Sequence, residues 1–231
     1  MGPAGLICSS TADVLAFARL HLTGGLAPDG TRLLTEASAA AMTDLQADLP
    51  DKFTLGDSWG LGWIRFGWNG HRLIGHDGNT IGQSAFLRLL PDEGLAVALL
   101  TNGGSPNDLY EDLYREIFAE LADVDMPRPL SPPADPVQAN AHRHAGTYER
   151  AGARLEVLLG EDGPVLRTTV TGPLAELSPE PTKEYAMVAV EPDLFVIREP
   201  QSQTWTPMLF YELRTGEKYL HFGVRATPKV S

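Results

Sequence analysis

The spacing of apolar residues changes character twice along this chain. Near the start it is helical. Ser10-Thr11-Ala12-Asp13 has the form of a capping box, with Asp13 placed to bond back to the cap. Val14, Phe17 and Ala18, with Leu15 and Leu22, then recur on one helical face, and Gly24-Gly25 ends the run. A second helix is expected from about Thr35 through the alanines to about Leu45, followed by a loop from Gln46 to Ser58.

From Trp59 the period becomes two. LGWIRFG and HRLIGHDG flank Asn69-Gly70, the pairing of residues that a type I′ hairpin turn favours. GQSAFLRLL and LAVALLTN follow, joined at Pro91-Asp92-Glu93-Gly94. These four segments predict an antiparallel meander. LYEDLYREIFAELA, Leu109 to Ala122, returns to helical spacing, with Leu113, Ile117, Phe118 and Leu121 expected to cover one face of that sheet. Trp59 and Trp63, placed on one strand, would share a face and pack into the core.

The second change is compositional. Pro127, Pro129, Pro132, Pro133 and Pro136 crowd one short stretch, which marks a linker over 127–140. It separates a first domain, 1–126, from a second, 141–231. In the second, short strand-like runs alternate with turn signals such as Glu161-Asp162-Gly163 and Thr215-Gly216. No helical pattern interrupts them, so a small antiparallel barrel of lipocalin-like type is expected.

Charge narrows the list of partners. Thirty acidic residues against 18 basic ones give a formal charge of −12, the wrong sign for a phosphate backbone, so no nucleic-acid partner is expected. No apolar run reaches the roughly 18 residues of a membrane span. Cys8 is the sole cysteine, which rules out an intrachain disulfide; a small buried hydrophobe is the simplest role for it. His142 and His144 lack a third ligand nearby and fit the polar end of a linker better than a metal site.

One strand is unusual. His76-Asp77-Gly78 sits at its end, where a purely structural strand has little use for adjacent ionisable groups. Four motifs in order extend the observation: GPAGLICSSTADVLAFARLHLTGG, WGLGW, GHDGNTIGQSAF, and LLPDEGLAVALLTNG followed by a helix. This series, over roughly residues 3–122, resembles the C-terminal part of serine β-lactamase-like hydrolases: class C β-lactamases, family VIII esterases and D-aminopeptidases. The resemblance implies an α+β fold, the C-terminal portion of a β-lactamase/transpeptidase-like domain with antiparallel sheet and helices. The later strands are similar to the accessory barrels of some of these enzymes.

In that family a strand bearing Lys-Thr-Gly or His-x-Gly forms one wall of the active site. The resemblance places His76, Asp77, Gly78 and Asn79 against the substrate. His76 would sit near the catalytic proton network, and Gly78 would let the substrate approach closely. The Asn79 amide would be one of two oxyanion donors, worth about 2.7–4 kcal/mol in the transition state. Asp77 holds the variable middle position. The implied substrate is a small acyl, β-lactam or peptide-like molecule, and no metal or organic cofactor is implied.

The nucleophile motif does not occur here. None of Lys52, Lys183, Lys218 and Lys229 has a serine three residues before it, and no tyrosine begins Tyr-x-Asn. Ser84 has only part of a nucleophile elbow around it, since Phe86 stands where the second glycine belongs. Two explanations stay open. The chain is the C-terminal portion of a hydrolase, inactive by itself, that self-associates or pairs with an N-terminal half. Or it is a non-catalytic acyl- or peptide-binding relative on the same scaffold.

Overall fold

The computed structural model describes residues 5, 7–80, 82–135, 137–200 and 202–231. Residues 2–4 and 6 of the first motif, Ile81 and Pro136 lie outside that set. The chain divides into two compact units, 1–128 and 129–231.

The first unit opens with helix α1, Thr11–Leu22. Both halves of the capping box form: the Asp13 amide donates to Ser10 Oγ at 3.3 Å, and the Ser10 amide donates to Asp13 Oδ2 at 3.2 Å. Helix α2, Glu36–Thr43, starts at Thr35, whose Oγ1 accepts the Ser38 amide. Strands β1 (Ala47–Asp48) and β2 (Ser58–Trp59) come next, so the expected loop contributes a short outer strand. Strands β3 (Ile64–Trp68), β4 (His71–Thr80), β5 (Gln83–Leu90) and β6 (Leu95–Thr101) complete one six-stranded sheet in sequential order, antiparallel throughout. Asn69 and Gly70 both have positive φ, 45° and 88°, as the expected I′ turn requires.

Alternation along the strands sends residues to two faces. Phe66, Leu73, Phe86 and Leu90 pack with helix α3, Pro106–Ala122. Trp63, Ile74, Leu87 and Leu89 pack with Ala18 of α1. Trp63 and Trp59 therefore belong to opposite sides of the sheet: Trp59 ends β2, while Trp63 lies in the connection just before β3 and is not on a strand. Helix α3 presents a different stripe from the aliphatic one expected: Tyr110, Tyr114 and Phe118 are buried, while Leu121 is 68% exposed. The tyrosines can be buried because a polar partner is waiting. Tyr114 Oη lies 2.8 Å from the Phe86 carbonyl and 3.1 Å from that of Val97, donating between them. Cys8 is exposed, contrary to the expectation of a buried small hydrophobe.

Among the described residues the second unit holds nine strands in two sheets. Strands β7 (Gly146–Arg150), β8 (Ala153–Gly160), β9 (Gly163–Val170) and β10 (Thr182–Ala186) form one. Strands β11 (Val188–Glu191), β12 (Leu194–Ile197), β13 (Thr206–Glu212), β14 (Lys218–Phe222) and β15 (Arg225–Pro228) form the other. An isolated bridge, Tyr148 to Lys229, joins them, and both line one core that includes Tyr148, Leu166, Phe195 and Met208. Among the described residues the ladder is not closed into the expected barrel. The run EYAMVAV, which reads as one strand, breaks at Met187: that side chain turns into the shared core, and the chain passes from one sheet to the other.

Candidate active-site strand

The candidate site is the C-terminal half of β4, and pleating sorts its residues by face. Asp77 leads toward the α3 side, together with Leu73 and Gly75. His76 and Gly78 lead to the α1 side, together with Ile74.

His76 is exposed. Its Nδ1 lies 2.7 Å from the Asp77 carbonyl oxygen. A carbonyl only accepts, so Nδ1 carries the hydrogen and Nε2 keeps its lone pair in the neutral ring. The indole of Trp59 meets the imidazole edge-on, at 5.6 Å and 83°. Gly78 has no atom within 4 Å of the place a Cβ would occupy, so that side of the strand is open. Asn79 pairs with Ser84 across β4 and β5, and its Oδ1 accepts the Ser84 hydroxyl at 2.6 Å. Ser84 is thereby a hydrogen-bonded strand residue.

Asp77 is placed differently from the other three. Its carboxylate is largely buried and takes both arms of Arg88, Nη1 to Oδ1 at 2.5 Å and Nη2 to Oδ2 at 2.9 Å. Arg88 is 2% exposed. Its guanidinium lies 3.8 Å from the centroid of the Phe66 ring and 5.0 Å from that of Tyr110, and Nη1 also donates to the Leu87 carbonyl. Burial works against its charge, but the facing Tyr110 and Asp77 outweigh that and hold it above the ordinary arginine value. Burial likewise pushes the Tyr110 hydroxyl up, so it stays a neutral phenol. The site strand thus rests on a closed ion pair whose charges cancel.

Sequence reading brings His76, Gly78 and Asn79 to one strand end, where the structure has them. It misses Arg88, Gly75 and Trp59. A signal for Arg88 was present: in Phe86-Leu87-Arg88-Leu89-Leu90 a charge stands at an inward position between two buried hydrophobes. Such a charge requires a partner, and Asp77 is the carboxylate within reach on the adjoining strand. The two histidines set aside as metal ligands are not brought together in a metal cluster. His144 is buried, stacked on Phe210 at 4.1 Å, with Nε2 3.1 Å from Asp193 Oδ1. Among the described residues no group of three or more His, Cys, Asp or Glu side chains is arranged to hold a metal.

Comparison with known proteins gives this geometry a family. The β-lactamase family model matches residues 1–122, more than half of the 231, and the chain belongs to that family. It is 46% identical over 152 residues to penicillin-binding protein 4 of Amycolatopsis lactamdurans, covering 65% of this chain and 40% of that protein. Among solved structures it is similar to SurE with D-Leu (TM-score 0.68, 30% identity), covering 96% of this chain and 50% of that one. A second SurE structure gives 0.67 and 30% over 96% and 48%. The chain therefore spans half or less of the length of these relatives. Among the described residues no helix is long and apolar enough to cross a membrane.

Proposed function

We propose that this chain supplies one wall of an acyl-transfer site in a serine hydrolase of the β-lactamase family. The reaction is hydrolysis or transfer of an amide, β-lactam or ester bond through an acyl-serine. The observation that carries this reading is the pairing, on β4, of open space at Gly78 with an exposed histidine whose Nδ1 is engaged by the Asp77 carbonyl. An extended acyl group can lie along the strand there, with Nε2 left to accept a proton. The Asn79 amide is the candidate oxyanion donor. A neighbour of similar fold, SurE, has been determined with D-Leu, and the curated relative is a penicillin-binding protein. A peptide-like substrate with a D-configured residue is accordingly the substrate class we assign.

A serine followed three residues later by lysine does not occur in the 231 residues, so the acylation step needs a nucleophile from outside them. Strand β6 is an outer strand of its sheet and carries no charge from Leu95 to Thr101. It is the edge at which further polypeptide, covalent or not, would pair. The same absence supports a second reading, in which the strand binds an acyl or peptide ligand without turnover.

Backbone amide NMR during titration with D-Leu or benzylpenicillin tests the shared part of both readings. The expected shifts fall on His76, Gly78 and Asn79, with intact mass showing no covalent adduct. Stoichiometric acylation of a serine in this chain, Ser84 above all, would place the nucleophile here and overturn the assignment. Shifts confined to residues away from β4 would remove the site.

A further inference from the structure

We infer that Arg88 is the positioning residue of this strand: acting through Asp77, it fixes the tautomer and direction of His76. The inference rests on the acyl-transfer reading for its purpose, but not for its geometry.

Asp77 is held at both ends. Its carboxylate is gripped by Arg88, and its main-chain carbonyl accepts Nδ1–H of His76 at 2.7 Å. Arg88 in turn has little freedom. It sits opposite Gly75 in the register of β4 and β5, and its side chain runs over that glycine toward Asp77. A Cβ on Gly75 would stand 3.1 Å from Arg88 Cδ and 3.2 Å from Nη1. The ring of Phe66 covers one face of the guanidinium. A two-pronged bond from so constrained a group, added to the β4–β5 ladder in which Asp77 faces Phe86, holds both the position and the rotation of residue 77.

The consequence reaches the imidazole. A solvated histidine side chain prefers its hydrogen on Nε2. Here the Asp77 carbonyl draws it to Nδ1, which leaves the lone pair on Nε2, the ring nitrogen away from that carbonyl. Catalytic and metal-binding histidines are commonly oriented in this way, by a fixed acceptor behind the ring. The carboxylate and the guanidinium neutralise each other beneath the strand, so the orientation is achieved without leaving an uncompensated charge there.

The test reads tautomers directly and needs no substrate. Long-range 15N–1H spectra of ring-labelled protein at pH 8 distinguish Nδ1–H from Nε2–H for each of the six histidines, and His76→Gln identifies the resonance. The wild-type His76 is expected as Nδ1–H. Removing one member of the ion pair would leave a buried charge, so the main variant is the double one, Asp77→Leu with Arg88→Met, which keeps the volume apolar. Backbone amide spectra establish that it folds. Its His76 is expected to revert to a mixture dominated by Nε2–H. Asp77→Asn, close to the native shape, is expected to lie between the two. A folded double variant, or Asp77→Asn if the double variant does not fold, that retains the full Nδ1–H population would overturn the inference. So would an Nε2–H tautomer in the wild type. If D-Leu and penicillin leave β4 unperturbed while the tautomer follows the ion pair, the acyl reading fails and the positioning relationship stands.

Discussion

Gly75 and Arg88 face each other across β4 and β5, and the glycine is bare because the arginine and its strand fill the space beside it. A Cβ at residue 75 would fall 2.1 Å from the Leu87 carbonyl oxygen as well as against Arg88. The carbonyl is part of the sheet and cannot move aside. Gly75→Ala is therefore expected to destabilise the first unit by roughly 2–4 kcal/mol, in the upper range for overpacking. Gly78, two residues on, has open space at the same point. Gly78→Ala should change stability by less than about 1 kcal/mol while weakening ligand shifts at His76 and Asn79. Urea denaturation of the two variants compares them directly; equal costs would mean that the close packing around residue 75 is absent in solution.

How much of this was legible follows from which interactions are local. The cap at Ser10, the Asn69-Gly70 turn and the Pro91 to Gly94 turn are set by residues within four positions of one another, and the sequence shows all three. The buried face of α3 was not legible. Tyr114 is inward because carbonyls of β5 and β6, 28 and 17 residues away, receive its hydroxyl. Aliphatic spacing alone favoured Leu121. Asp77 read as a variable middle residue for the same reason, since its partner is 11 residues along the chain. The break at Met187 is likewise a tertiary effect, an apolar side chain drawn into a core shared by two sheets.

A strained position in the second unit offers a stabilising substitution. Val224 has φ 57° in the turn between β14 and β15, a left-handed conformation that a β-branched residue adopts at a cost of about 1–2 kcal/mol. Val224→Asn keeps the turn and relieves most of that cost. A gain of about 1 kcal/mol in the unfolding free energy of the second unit is expected. An unchanged or lower midpoint in denaturant would show that Val224 contributes contacts worth as much as the strain.

The two units should separate at the proline-rich stretch. Residues 127–140 form no helix or strand among those described, and several, including Ala134 and Asp135, are exposed. Arg128 is followed by Pro129, so trypsin is blocked there. Subtilisin is expected to cut between Met126 and Ala141 and leave two stable pieces. Early cleavage inside β3 to β6 would mean that the first unit is not compact by itself.

Glu111 gives the first unit a pH dependence opposite to the usual carboxylate pattern. It lies on α3 beside the buried Tyr110. Burial pushes its carboxyl up to about 7, against the pull of Arg115 and Arg88 and with help from Asp112 and Asp108. Arg115 Nη2 is 2.8 Å from its Oε2, and the same guanidinium donates through Nη1 to the Met126 carbonyl at 2.5 Å. The folded value exceeds the unfolded one, so the folded state binds the extra proton. The stability this gives is complete below the unfolded value near 4.5 and is lost as pH rises through 7. The loss is on the order of 2–3 kcal/mol, since each unit is worth about 1.4 kcal/mol and part of the side chain meets water. Glu111→Gln can still accept from Arg115 and carries no proton to lose. Its unfolding free energy should be flatter between pH 5 and 8, and at pH 8 it should equal or exceed that of the wild type. Denaturation of the first unit at five or six pH values settles the sign: a wild-type protein that grows more stable from pH 5 to 8 would show that the ion pair with Arg115, not burial, dominates at Glu111.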